Sequence, residues 1–277
     1  MIDTHVHVWT MDTKKYPFQQ SLSAVPIPKD PAKIEDFIEC MQNNGVKNAV
    51  LVQPSTYGWD NSYLCDCIQK NPGKFAGVCL VDPKSNSAPD DLVHWCDGEG
   101  CQGLRINLVG YSEAEFLLEP EKKILWDTIS ELKAKVSFQM MPNQSYIIDA
   151  LAKSRPEITF IIDQVGAIVH RNTKLNTFVE ELSERPNIYA KLNSVGQNSV
   201  EQYPFKDLWP FFKLLVDNFG PDHIMYGTDF PHTLKKCSYT KAINWLYELP
   251  FVGPYAQDAI KSGTAQELWR FDKIIKN

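Results

Sequence analysis

The chain has 277 residues, 43% hydrophobic and 12% aromatic, which is enough to bury a large core and excludes global disorder. A formal net charge of −6 at pH 7 argues against a general nucleic-acid binder and against docking on acidic membranes. No apolar run reaches the ~18 residues of a membrane span, and the first residues lack a secretory signal pattern, so a cytoplasmic protein is expected.

The first predicted strand is Ile2-Asp3-Thr4-His5-Val6-His7-Val8-Trp9, where apolar and polar residues alternate with period two. His5 and His7 therefore leave the same face. Such a pair suits a metal, because neutral imidazole is a common ligand, but it also suits a solvated strand face. A proline-containing loop follows, and Asp30-Pro31-Ala32 reads as an N-cap before a helix running from Ile34 to Met41. The second strand, Val46 to Pro54, is almost wholly apolar, as expected of a parallel strand covered on both faces. A helix through Leu64 and Ile68 comes next.

The alternation repeats to the end. Strands are predicted at Phe75–Pro83, Gly103–Leu108, Val136–Pro142, Ile158–Gln164, Asn187–Leu192 and His223–Asp229. The helices between and after them open at Ala88-Pro89-Asp90, or cover Glu119–Lys133, Ile147–Ala152, Leu175–Leu182, Phe205–Phe219, Tyr239–Tyr247 and Tyr255–Leu268. Eight short apolar strands alternating with helices predict an α/β fold, a (β/α)8 TIM barrel, as one domain over residues 1–277. A doubly wound nucleotide-binding sheet is the alternative, and no glycine-rich phosphate turn supports it. Seven cysteines without a C-x-x-C pair read as buried thiols of a reducing compartment.

In such barrels chemistry sits at the C-terminal strand ends. The polar residues there are His5, His7, Gln53, Asp82, Arg105, Asn107, Gln139, Asp163, Gln164, Lys191, Asn193, Asp229 and His232. Charges at the ends of apolar strands are costly unless paired or used. For Asp229 the competing expectation is that its side chain merely caps the helix after the eighth strand. For Arg105 it is a pairing with a loop carboxylate.

Asp3-Thr4-His5-Val6-His7-Val8-Trp9 and Met225-Tyr226-Gly227-Thr228-Asp229-Phe230-Pro231-His232 resemble the first and eighth strands of the amidohydrolase superfamily. Val52-Gln53-Pro54-Ser55, Tyr57-Gly58-Trp59-Asp60-Asn61 and Gly103-Leu104-Arg105 are similar to the lactonase side of its amidohydrolase-related branch. The resemblance implies that His5, His7 and Asp229 hold one divalent metal, zinc by preference, and that Asp229 is the general base. It further implies a hydrolase that opens a small carboxylated lactone or cyclic ester.

Arg105 is then expected to grip the carboxylate. Tyr57, Trp59, Gln53, Gln139, Gln164, Lys191 and His232 are expected to complete the substrate site. Two departures stand out. Gln164 and Gln139 occupy positions where family members often carry histidine, which makes metal-independent hydrolysis an alternative, and His170 is a remote substitute ligand. Non-oxidative decarboxylation and ligand binding without catalysis are the other readings of the same site. The expected partner is a small molecule, with no nucleic acid and no membrane, and a homo-oligomer is compatible with the sequence. The loops Gln19–Pro31 and Gly110–Pro120 are expected to carry substrate specificity.

Overall fold

The computed structural model describes residues 1–19, 26–164 and 177–271. Eight parallel strands run in sequence order: β1 (Ile2–Val6), β2 (Asn48–Val52), β3 (Phe75–Leu80) and β4 (Gly103–Asn107). They continue as β5 (Lys135–Gln139), β6 (Phe160–Asp163), β7 (Ile188–Leu192) and β8 (Ile224–Tyr226). The barrel closes just beyond β8. There the Asp229 amide donates to the His5 carbonyl at 2.9 Å and the His7 amide donates to the Phe230 carbonyl at 2.8 Å. Closure needs a glycine at residue 227, since a Cβ there would lie 2.6 Å from both the amide nitrogen and the Cβ of His5.

Each strand is followed by helical chain. The helices are α1 (Ile34–Asn43), α2 (Ser62–Gln69), α3 (Ala88–Val93), α4 (Lys123–Glu131) and α5 (Ser145–Ser154). The series ends with α6 (Thr177–Ser183), α7 (Val195–Asn198), α8 (Trp209–Phe219), α9 (Tyr239–Asn244), α10 (Pro254–Asp258) and α11 (Thr264–Leu268). Helix α1 shows how the outer layer is specified: Ile34, Phe37 and Met41 recur at helical spacing and are the residues it buries. None of the described helices is long and apolar enough to cross a membrane.

The structure moves several expected boundaries. Asp30 does not cap α1. Trp9 and Ala32 instead form an antiparallel bridge, the Trp9 indole donates to the Asp30 carbonyl at 2.7 Å, and the helix starts at Ile34. Backbone pairing and the burial of Trp9 hold this proline segment extended across the mouth. The strands are shorter than their apolar runs because pairing ends where the chain turns outward. Helix α7 was not anticipated, since four residues carry too little periodicity to read. His170 and Leu175 lie outside the described residues.

Inside the barrel the residues sort by height. The N-terminal end is apolar: Ile2, Val50, Val52, Ala76, Val78, Ile161 and Met225 pack with Ala265 and Trp269. Trp269, just past α11, fits against the bare backbone of Gly103, where a Cβ would come within 3.2 Å of its ring. The C-terminal end is different. It contains His5, Arg105, Asp163, Lys191 and Asp229, all buried.

Candidate active site

His5 and His7 project from β1 and the residue just after it, with ring centroids 4.8 Å apart and planes nearly perpendicular. The His7 Nδ1 lies 2.8 Å from the Val52 carbonyl oxygen. A carbonyl only accepts, so Nδ1 carries the proton and the Nε2 lone pair is left facing the mouth. The His5 Nε2 approaches that atom to 3.2 Å, while its Nδ1 faces Asp163 Oδ1 at 3.7 Å. Asp229 Oδ1 completes the group, 3.5 Å from His7 Nε2 and 3.9 Å from His5 Nε2.

Asp229 follows β8 with a left-handed backbone (φ 62°), which turns its carboxylate over the barrel. The side chain does not cap a helix. The next helical turn, His232–Lys235, has Pro231 at its cap, and Asp229 Oδ2 accepts the Ser194 hydroxyl at 2.6 Å. The Gln197 side chain also favours the ionised form of this carboxylate. Oδ1 is buried with no hydrogen-bond partner.

Below lies an ionic layer centred on Asp163. Its Oδ1 is 2.9 Å from Lys191 Nζ, and its Oδ2 is 3.2 Å from Arg105 Nε. Burial acts to raise the Asp163 pKa, but Lys191, His5 and Arg105 outweigh it and hold the carboxyl below its ordinary range. Burial drives the His5 pKa down to about 4 and that of His7 well below its usual value, so both rings are neutral near pH 7. Burial pushes the Asp229 carboxyl the other way, up to about 7, with the Ser194 hydrogen bond opposing.

This donor set fits a divalent cation. Two neutral imidazoles whose Nε2 atoms converge and one carboxylate oxygen without a hydrogen-bond partner lie within 4.8 Å of one another, in a buried place. Among the described residues it is the one such cluster of three or more metal-type ligands.

Above the cluster opens a cavity of about 790 Å³. Polar side chains of Arg105, Gln139, Gln164 and Gln197 line it together with Trp9, Pro26, Ile27, Pro28, Pro231 and Leu234. Of the residues expected there, His7, Asp229, Arg105, Gln139, Gln164 and His232 reach the cavity. His5 lies behind His7. The His232 ring stands 5.7 Å from both His7 and Trp9.

The structure places four of the expected substrate residues, Tyr57, Gln53, Trp59 and Lys191, outside the cavity lining. Tyr57 is buried away from the cavity, where its hydroxyl accepts from the Thr10 amide at 2.9 Å. Gln53 is buried and donates to the Asp60 carbonyl, and Trp59 is half-buried beside it; both serve the loop after β2. Lys191 is spent on Asp163 beneath the floor. Arg105 reaches the cavity with part of its fork committed, for Nη2 donates to Gln139 Oε1 at 3.0 Å and Nε faces Asp163. Of the expected specificity loop 19–31, residues 20–25 lie outside the described residues and 26–31 line the cavity; no residue of 110–120 lines it. Ser194, Ser55 and Gln197 escaped the sequence reading. Ser194 had a readable signal, standing two residues beyond an apolar strand, whereas Gln197 had none.

Two histidines and an aspartate converge at the C-terminal mouth of a parallel (β/α)8 barrel, the end where enzymes of this fold carry their active sites. The chain belongs to the amidohydrolase family, whose model matches residues 2–271. It is 24% identical to the L-fucono-1,5-lactonase of Burkholderia ambifaria, over 98% of this chain and 96% of that protein. It is also 24% identical to a 2-pyrone-4,6-dicarboxylate hydrolase of Comamonas testosteroni, over 83% of this chain and 76% of that one. Among solved structures it superposes on a probable 2-pyrone-4,6-dicarboxylic acid hydrolase of Acinetobacter baumannii with bound citric acid. The TM-score is 0.81, with 21% identity over 96% of this chain and 98% of the other. A zinc-bound amidohydrolase of Burkholderia multivorans aligns at a TM-score of 0.73, with 17% identity over 96% and 98% of the two chains.

Proposed function

We propose that the chain hydrolyses a small carboxylated lactone, with Asp229 as general base. The observation that carries this reading is Asp229 Oδ1: a buried carboxylate oxygen without a partner, on the floor of a cavity that Arg105 also borders. Opening a lactone requires a proton to leave the attacking water and a proton to reach the departing ring oxygen. Asp229 accepts the first and returns it to the second. Negative charge gathers on the carbonyl oxygen meanwhile, and preorganised positive charge there is usually the largest catalytic contribution.

Arg105 supplies such charge at the cavity wall and binds the substrate carboxylate with the part of its guanidinium not held by Asp163 and Gln139. The side-chain amides of Gln139 and Gln164 meet the ring's polar groups, and Trp9 and the prolines of the lining offer its apolar part a contact surface. His5, His7 and Asp229 would hold one divalent ion, zinc by preference, and when bound it supplies Lewis acidity toward an ester carbonyl and acidifies water. The zinc in the Burkholderia multivorans relative supports that assignment. The names of the two curated relatives support the lactone.

The test is a panel of sugar lactones and carboxylated lactones, assayed with and without chelator, beside metal analysis of the purified protein. Lactone opening abolished by chelator and restored by zinc is expected. Release of carbon dioxide without ring opening, or tight binding without turnover, would replace the hydrolytic reading. Turnover indifferent to chelator would remove the metal and leave Asp229.

A further inference from the structure

Three residues at successive strand ends, Gln164 after β6, Ser194 after β7 and Asp229 after β8, have left-handed backbones at φ 54°, 56° and 62°. None is glycine. Such conformations persist in ordinary residues only where the surroundings hold them, and they gather at functional sites. Here a hydrogen-bonded chain around the mouth does the holding. Arg105 Nη2 donates to Gln139 Oε1 at 3.0 Å, and Gln139 Nε2 reaches Gln164 Oε1 at 3.4 Å. The Gln164 amide donates to Asn193 Oδ1 at 2.7 Å, and Asn193 Nδ2 to Ser194 Oγ at 3.3 Å. The chain ends where the Ser194 hydroxyl donates to Asp229 Oδ2 at 2.6 Å.

We infer that Ser194 is a positioning residue for Asp229: its hydroxyl pins Oδ2, which aims Oδ1 at His5, His7 and the cavity. A carboxylate can rotate its two oxygens into each other's places. Donors on one oxygen alone break that equivalence and leave the other for chemistry. Ser194 itself is absent from the cavity lining, so it acts through Asp229 and not on the substrate. The strained backbone serves this purpose, because an extended residue at 194 would carry the hydroxyl away. The inference rests on Asp229 being the base.

Two variants separate positioning from structure. Ser194→Ala keeps the left-handed strain and removes the hydroxyl; Ser194→Gly removes both hydroxyl and strain. On the lactone that the wild type opens, both should lower kcat by about 10–100-fold, the usual effect of losing a group that orients a ligand or base. KM should stay within about threefold. The glycine variant should melt no lower than the alanine variant while losing as much kcat. In an Asp229→Asn background, Ser194→Ala should cost nothing further, since residues acting as one unit are not additive.

A wild-type kcat in Ser194→Ala overturns the inference, as does a change confined to KM. So does a kcat loss that follows the melting temperature across the two variants, or a full additional loss in the Asp229→Asn background. A wild type that opens no lactone overturns the base assignment of Asp229, and Ser194's role falls with it.

Discussion

The two ends of the barrel interior are built on opposite principles. At the N-terminal end, Ile2, Val50, Val78, Ile161 and Met225 close around Trp269, and stability comes from apolar area removed from water. At the C-terminal end, His5, Arg105, Asp163, Lys191 and Asp229 are as deeply buried, yet nearly every contact is ionic or a hydrogen bond. Burying charge costs free energy even when it is paired. The upper layer therefore marks where the fold gives up stability for chemistry, and the lower layer supplies the reserve that makes this tolerable.

The largest expected effect tests the upper layer. Asp229→Asn keeps shape and hydrogen bonding but removes the proposed base, so kcat should fall by about 10²–10⁴-fold in a steady-state assay. Stability should move the other way. The Asp229 carboxyl is raised to about 7 in the folded state, so its contribution to stability is full at acid pH and is lost as pH rises through 7. In chelator-treated protein, Asp229→Asn should therefore gain melting temperature over wild type at pH 8, gain less at pH 5, and lose the advantage only below about pH 4. Equal melting curves at pH 8 would mean that this carboxylate ionises without penalty.

Lys191→Met probes the same layer from below. It leaves the Asp163 carboxylate buried with Arg105 as its closest remaining cation, at 3.2 Å, and should cost about 3–5 kcal/mol in urea unfolding. Adding Asp163→Asn should recover much of that loss. A double variant no more stable than Lys191→Met would show that packing, not charge, sets the cost.

Trp269→Ala is the matching cut at the other end. It should cost about 3–5 kcal/mol for a large cavity in the apolar plug. At temperatures where the variant is folded, kcat should match wild type. A kcat loss there would end the division of labour between the two ends.

The smallest effect belongs to Arg105→Lys. The lysine keeps the charge but not the planar fork, and losing one charge-assisted hydrogen bond of about 1.5 kcal/mol should raise KM roughly tenfold. Unchanged KM would confine Arg105 to holding Asp163 and Gln139.

The sequence by itself determined the barrel and pointed to part of the candidate site. Eight apolar runs at regular spacing have one economical closed arrangement, and His5, His7 and Asp229 were legible because polar residues at apolar strand ends need a reason to be there. What each polar residue does was decided only by tertiary structure. Lys191 and Gln139 look alike as strand-end polar residues, yet one is consumed by Asp163 under the floor and the other lines the cavity. Asp30 and Pro31 carry a sound helix-start signal, but Trp9 pairs with the neighbouring Ala32 and carries that segment to the cavity wall. Ser194 was marked in the sequence only by standing two residues beyond an apolar strand, and its task appeared once the left-handed turn after β7 brought its hydroxyl to Asp229. Local pattern records which face of an element is apolar. It does not record which partner lies across a closed barrel, because that distance is set by strands far apart in the chain.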